Sequence, residues 1–247
     1  MQTSASDALA TGADGRHRCF WAVSAPEFLA YHDQEWGRPV VTDDAFFERL
    51  CLEAFQSGLS WLTILRKRPA FRAAFAGFRV AEVAAFGPGD VERLMNDAAI
   101  VRNRRKIEAA AHNAKRCLEV IDECGSLAAL LWRFRPSEPA APIRSRADWP
   151  AVTPASTALA AELRRRGFRF VGPTTAYATM QAAGLVNDHA EGCWVRNEIE
   201  AQQARRPTGL PDGNRQGRAA GLGVTACATT ARGHGTRRLT NKRRDRR

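Results

Sequence analysis

Two cysteines and two histidines, placed toward opposite ends of an apolar-rich segment, most tightly limit how this 247-residue chain can fold. Cys19 opens the run CFWAVS and His32 lies in YHDQEWG, whereas His189 and Cys193 come far downstream in GLVNDHAEGC. Two thiolates and two imidazoles are the ligand set of a closed, tetrahedral, structural zinc site. Ligands drawn from both ends would make the metal a clasp that ties the termini of one domain together. The spacing fits none of the short zinc-finger patterns. Chemistry alone therefore leaves a second reading open, two buried cysteines and two ordinary histidines.

Between these ends the apolar pattern is helical almost throughout. Ser24-x-x-Glu27 reads as a capping box opening a helix through Trp36, and Thr42 followed by two acids opens one over residues 43–56. Gly58 breaks that helix and Ser60 caps the next, over 61–66. Further helices are predicted around 69–77, 88–96, 103–123, 125–134, 156–166 and 174–183, the last two ended by Gly167 and Gly184. The proline-rich stretch 135–155 reads as an irregular connection. No convincing alternating strand is present, so the expected fold class is all-α.

Composition agrees with one domain and a tail. An apolar content of 45% supports a sizeable core, and the densest apolar run, residues 127–132, is far too short for a membrane span. The first 18 residues lack the apolar region of a signal peptide, and six cysteines in such a chain suit reduced thiols in a cytoplasm. Cys51 and Cys117 fall within helical apolar patterns and read as core residues. From Val195 onward, 13 Arg and Lys face four acids, a balance of +9 that leaves only +2 of the net +11 for everything before it. The expected domain is 18–195, flanked by a disordered extension over 1–17 and a basic disordered tail over 196–247. Such a tail either adds sequence-independent phosphate affinity or is a solvated extension.

YHDQEWG, LEAFQSGLSW (52–61), RRRGFRFVG (164–172) and LVNDHAEGC, in this order and at this spacing, resemble the DNA-3-methyladenine glycosylase I family. The resemblance runs from about Cys19 to Trp194. It implies a helix-hairpin-helix DNA glycosylase fold, with one structural zinc held by Cys19, His32, His189 and Cys193. It also implies base-excision repair of 3-methyladenine in alkylated DNA. The expected partner is double-stranded DNA carrying alkylated adenine, met by a cytoplasmic monomer with no membrane involved.

The hairpin expected of that fold falls in VERLMNDAAIVRNRRKI (91–107). Its amides, with Ala99 at the tip, and the second helix's N-terminus would face a DNA phosphate. Arg102, Arg104, Arg105 and Lys106 oppose the helix dipole there, which makes sense if they face phosphates; a solvated basic face is the commoner reading. The family usually has glycine where this chain has Ala98-Ala99, and alanine tolerates a positive backbone angle poorly.

Glu53 lies in the apolar run FFERLCLEAF (46–55), where an unpaired carboxylate is costly. An internal ion pair with an arginine is one account of it. By resemblance, Glu53 contacts the base and is the catalytic candidate. An enzyme acting on a base in duplex DNA flips it out and holds it by stacking and edge hydrogen bonds. Aromatics at helical spacing are usually core. The resemblance instead places Trp21, Tyr31 and Trp61 in the pocket, beside Glu53, with Trp36 as core support. Leu59, on a turn after Gly58, is placed to fill the gap that a flipped nucleotide leaves, or else is a core leucine.

Phe28 stands where the family often has tyrosine and removes a hydroxyl near the expected pocket. Phe55 replaces a polar or small residue and is expected to alter packing. No lysine occupies the nucleophilic position, so no Schiff base and no strand cleavage are expected. Two other classes compete. A zinc-clasped module that recognises damage without cutting is opposed by Glu53 and the aromatics, and an open-site zinc hydrolase by four protein ligands.

Overall fold

A computed structural model describes residues 7–205. The basic segment 206–247, including Cys227 and most of the expected tail, lies outside the described residues.

Ten α-helices account for most of the described residues: α1 Pro26–Gln34, α2 Asp43–Gln56, α3 Trp61–Ala74, α4 Val80–Ala84, α5 Pro88–Asn96, α6 Arg104–Cys124, α7 Leu127–Trp132, α8 Pro154–Arg165, α9 Pro173–Ala182 and α10 Arg196–Ala204. Helix α2 is the central one. It buries Phe46, Phe47, Leu50, Cys51 and Phe55 and packs against α3, α6, α7 and α9. Thr42 caps it as expected, its side chain accepting from the Ala45 amide. Phe55 joins an aromatic cluster with Phe71 and Phe75, at ring distances of 4.7 and 5.7 Å. Its departure from the family pattern is thus absorbed in packing. Cys51 and Cys117 are core residues, as expected.

Several expectations are corrected. The sequence at 61–77 predicts two helices parted at Pro69, but α3 runs through Pro69 unbroken to Ala74. The Ser24–Glu27 capping box does not form. Ala25 is the N-cap of α1, Ser24 donates to the Trp21 carbonyl at 2.6 Å, and Glu27 pairs with Arg66 at 2.8 Å. The fold is also not purely helical. Leu9–Thr11 (β1) pairs antiparallel with His17–Cys19 (β2), with Leu9 opposite Cys19.

Residues 7–17, expected to be disordered, therefore belong to the domain, and Ala8 is fully buried. At the other end α10 lies wholly beyond the expected boundary at 195 and buries Ile199 and Gln203, the latter donating to the Gly37 and Val186 carbonyls. Three-residue strands and a helix with only two buried side chains leave little periodic signal for sequence to carry.

Candidate active site and metal centre

Three parts of the chain converge on the cysteines and histidines. Cys19 ends β2, His32 sits on α1, and His189 and Cys193 lie on the segment between α9 and α10. That segment enters through Gly184 at φ 75°, where an added Cβ would lie 2.6 Å from the Gly37 carbonyl oxygen and 2.6 Å from the Arg38 carbonyl carbon. Only glycine fits so close a backbone crossing.

All four side chains are buried, and their ligand atoms lie within 4.8 Å of one another. His32 Nε2 is 3.2 Å from His189 Nδ1, Cys193 Sγ is 3.4 and 3.6 Å from these two nitrogens, and Cys19 Sγ is 3.7 Å from His189 Nδ1. Metal–ligand bonds of about 2.0–2.3 Å around a tetrahedral ion give edges of roughly 3.3–3.8 Å. The group could hold a metal of that geometry.

The second nitrogen of each imidazole is engaged as a metal ligand requires. His32 Nδ1 donates to Asp33 Oδ1 at 2.8 Å, and His189 Nε2 donates to the Trp36 carbonyl at 3.1 Å. This leaves a lone pair on His32 Nε2 and on His189 Nδ1. The Ala190 amide donates to Cys19 Sγ at 3.3 Å. Behind His32, the buried Arg18 forks onto Asp33 at 2.9 Å and onto Asp14 at 2.7 Å. Burial alone would raise the Asp33 carboxyl, and the Arg18 hydrogen bonds outweigh it and hold it below its ordinary value. Sequence reading missed Arg18 and Asp33. The adjacency of Asp33 to His32 was the available signal, yet nothing in it tells an orienting carboxylate from a solvated one.

Beside this centre lies a cavity of about 410 Å³ lined by Phe20, Trp21, Phe28, Tyr31, Trp36, Glu53, Gln56, Trp61, Arg146, Trp149, Pro150, Ala178 and Gln181. The structure thus brings together Trp21, Tyr31, Glu53 and Trp61. Tyr31 and His32 are neighbours on α1, so one turn of helix serves both the cavity and the metal group. Trp36 does more than support: it lines the cavity and meets His189 edge-on at 4.7 Å. Phe28 stands edge-on to Trp21 at 5.7 Å. The Trp61 ring is 5.5 Å from Tyr31, and its indole N–H is buried without an acceptor among the described residues.

Glu53 is 7% exposed and makes no hydrogen bond or ion pair with any described residue. Burial pushes its carboxyl up to about 8, against the pull of Arg49. An internal ion pair does not explain it: Arg49, one turn earlier on α2, donates instead to the Ala45 and Ala182 carbonyls at 3.2 and 3.3 Å. A buried, unpartnered carboxylate in an aromatic cavity can accept hydrogen bonds from a planar ring and complement a positive charge on it.

Sequence reading missed Gln181, Trp149 and Arg146. Gln181 and Tyr177 both donate to the buried Asp188 carboxylate, and Trp149 Nε1 donates to the Asp188 carbonyl at 3.0 Å. One buried acid beside a metal-group histidine thus holds two walls of the cavity.

The hairpin residues fall between α5 and α6. Neither Ala98 nor Ala99 takes a positive φ, so alanine is tolerated at this turn. The Ala99 amide is occupied, donating to Asp97 Oδ1 at 2.8 Å. Asn103 caps α6 by accepting from the Lys106 amide at 3.2 Å. Arg102 and Arg105 are exposed, and Arg104 is exposed but forked onto Glu92 at 2.7 and 2.9 Å. Lys106 contradicts the expectation of a phosphate-facing side chain. It turns inward, 7% exposed, and donates to the Phe55 and Ser57 carbonyls. Leu59 follows Gly58, at φ 83°, and is 43% exposed, so it is not a core leucine.

The helical domain thus brings four potential metal ligands from both ends of the chain together beside an aromatic cavity that holds a buried carboxylate with no hydrogen-bonding partner among the described residues. Comparison with known proteins specifies the group. The methyladenine glycosylase family matches residues 21–197. The chain is 44% identical to DNA-3-methyladenine glycosylase 1 of Escherichia coli over 177 residues, 71% of this chain and 95% of that protein. It is 38% identical to DNA-3-methyladenine glycosylase of Haemophilus influenzae, over 71% of this chain and 96% of that one. The 3-methyladenine DNA glycosylase I of Staphylococcus aureus, solved to explain its recognition of 3-methyladenine, superposes with a TM-score of 0.68 at 35% identity, covering 71% of this chain and 94% of that one. The chain belongs to the methyladenine glycosylase family, whose named members are hydrolases acting on N-glycosyl bonds. No helix among the described residues is long and apolar enough to cross a membrane.

Proposed function

We propose that this protein hydrolyses the bond between deoxyribose and 3-methyladenine in alkylated double-stranded DNA and leaves the strand uncut. The observation that carries this reading is Glu53, a carboxylate buried in an aromatic cavity with no hydrogen-bonding partner among the described residues. A 3-methylated adenine is positively charged while attached to the sugar, so the faces of Trp21, Tyr31 and Trp61 attract it. Glu53 accepts hydrogen bonds from the adenine amine, and its negative charge favours the cationic base. The charged base is already a good leaving group. Holding it in a dry, preorganised site therefore supplies most of the stabilisation that hydrolysis needs.

None of the cavity-lining residues is a lysine, which supports a monofunctional enzyme. Treating methylated duplex with the protein should create abasic sites, with strands that stay whole until alkali is added. Nicks formed without alkali overturn the uncut strand, and the absence of alkali-labile sites overturns the glycosylase reading.

Zinc is the metal that suits the two cysteines and two histidines. Four protein ligands leave no open position, so its part is structural. It supplies a bond between the N-terminal hairpin, α1 and the segment after α9, and these in turn carry Trp21, Tyr31 and Trp36.

DNA would meet the hairpin between α5 and α6, with Arg102 and Arg104 beside the backbone and Leu59 filling the gap of the flipped nucleotide. Leu59→Ala should weaken binding of an abasic-site duplex roughly 10-fold, while a side chain this exposed should change stability by less than about 1 kcal/mol. Unchanged affinity with a core-sized stability loss removes Leu59 from the interface. Truncation after Arg205 spares every candidate residue and removes the basic segment. It should flatten the dependence of DNA affinity on salt and leave lesion preference unchanged; equal salt slopes make that segment a bystander.

A further inference from the structure

The buried ammonium of Lys106 has no carboxylate partner among the described residues; it donates to the Phe55 carbonyl at 2.9 Å and the Ser57 carbonyl at 2.6 Å. These oxygens lie at the end of α2 and just beyond it, where the chain turns toward Leu59. Burying an ammonium against neutral carbonyls is expensive compared with filling the same space with an apolar side chain. Its presence here points to something the contact does. Lys67, on α3, makes a matching contact in the opposite direction, donating to the Ala99 carbonyl at 2.9 Å and the Ala98 carbonyl at 3.3 Å. One lysine thus runs from the helix after the hairpin to the turn that presents Leu59. The other runs from the helix after that turn back to the hairpin. Each turn is also fixed internally, by Ser60 capping α3 and by Asp97 accepting the Ala99 amide.

We propose that Lys106 and Lys67 are positioning residues that brace the Leu59 turn against the 97–103 hairpin, so that a phosphate held by the hairpin sets the depth at which Leu59 enters the duplex. The inference rests on the DNA glycosylase reading above. Two turns on separate helix pairs would otherwise shift independently when DNA binds. Four charge-assisted hydrogen bonds from two cations to carbonyls, three of them at 2.9 Å or less, make them one rigid reader of backbone and gap.

The test is a double-variant cycle in the full chain: Lys106→Met and Lys67→Met, each made in the parent and in Leu59→Ala. Three readouts are taken, namely 3-methyladenine release from methylated duplex, fluorescence of 2-aminopurine placed opposite the lesion, and binding of free 3-methyladenine. A brace lost by Lys106→Met should slow release by about 10- to 100-fold, the scale of a misplaced group, and diminish the 2-aminopurine response. Free-base affinity should stay within about 2-fold. In the Leu59→Ala background either lysine change should add less than about 2-fold, because variants acting through one group do not multiply. Lys67→Met, at a partly exposed position, carries the same test if Lys106→Met does not fold. Full multiplication with Leu59→Ala, or loss of free-base binding in step with release, overturns the brace. No release by the parent protein overturns the glycosylase reading instead.

Discussion

Glu53→Gln is expected to slow release of 3-methyladenine by roughly 10- to 1000-fold, the range of a single electrostatic contact in a preorganised site. Glutamine keeps the shape and one acceptor but loses the charge that complements a cationic base. Because burial pushes the Glu53 carboxyl up to about 8, the ionised form is a minority in the free protein at neutral pH. kcat/KM should therefore rise with pH and level off above about 8, and that limb should vanish in Glu53→Gln.

The stability effect has the opposite sign. A carboxyl raised from 4.5 to about 8 by folding favours the neutral form in the native state. Its contribution is present below about pH 4.5 and lost as pH rises through about 8. Glu53→Gln should thus be more stable than the parent at pH 8, by on the order of a few kcal/mol, and the gap should close toward pH 4.5. A glutamine variant with the parent's rate and a correct fold removes Glu53 from the site.

Metal removal is expected to act on the fold. Cys193→Ser or His32→Ala should lower the metal content, expected at about one zinc per parent chain, and destabilise by roughly 3 kcal/mol or more, on the order of 10 °C in Tm. The loss is large because a metal held by the four ligands would tie β2, α1 and the segment after α9 together. Trp21 and Tyr31, both within ring contact of this group's surroundings, should shift with it. Calorimetry and elemental analysis of the same samples give both quantities. Folded protein without metal and with unchanged Tm contradicts the clasp.

The parts of this site that sequence made legible are those in which chemistry is concentrated in few residues. Cys19, His32, His189 and Cys193 stand out as a possible ligand set, which the family resemblance singles out where chemistry alone leaves two readings open, and Glu53 stands out because a carboxylate interrupts an apolar run. Helix α2 was readable through its Thr42 cap and its three- and four-residue apolar spacing.

What was not legible depends on contacts between distant or irregular segments. Trp149 and Arg146 sit in the proline-rich connection, which is held by Arg144 and Ser145 amides donating to Asp148 and by the Arg146 amide donating to Asp7. No periodicity marks such a wall. Lys106 stands among basic neighbours and reads as one more solvated charge. Only the register of α6 against the end of α2 buries it. Helix α10 is polar enough to look like the start of a tail, and it buries only Ile199 and Gln203.

The central claim is tested most directly by incubating the full chain with methylated duplex DNA and identifying the free bases by chromatography and mass. The account predicts free 3-methyladenine, released far faster than by the Glu53→Gln variant. DNA that is bound but yields no free base, or a released base unaffected by Glu53→Gln, contradicts it.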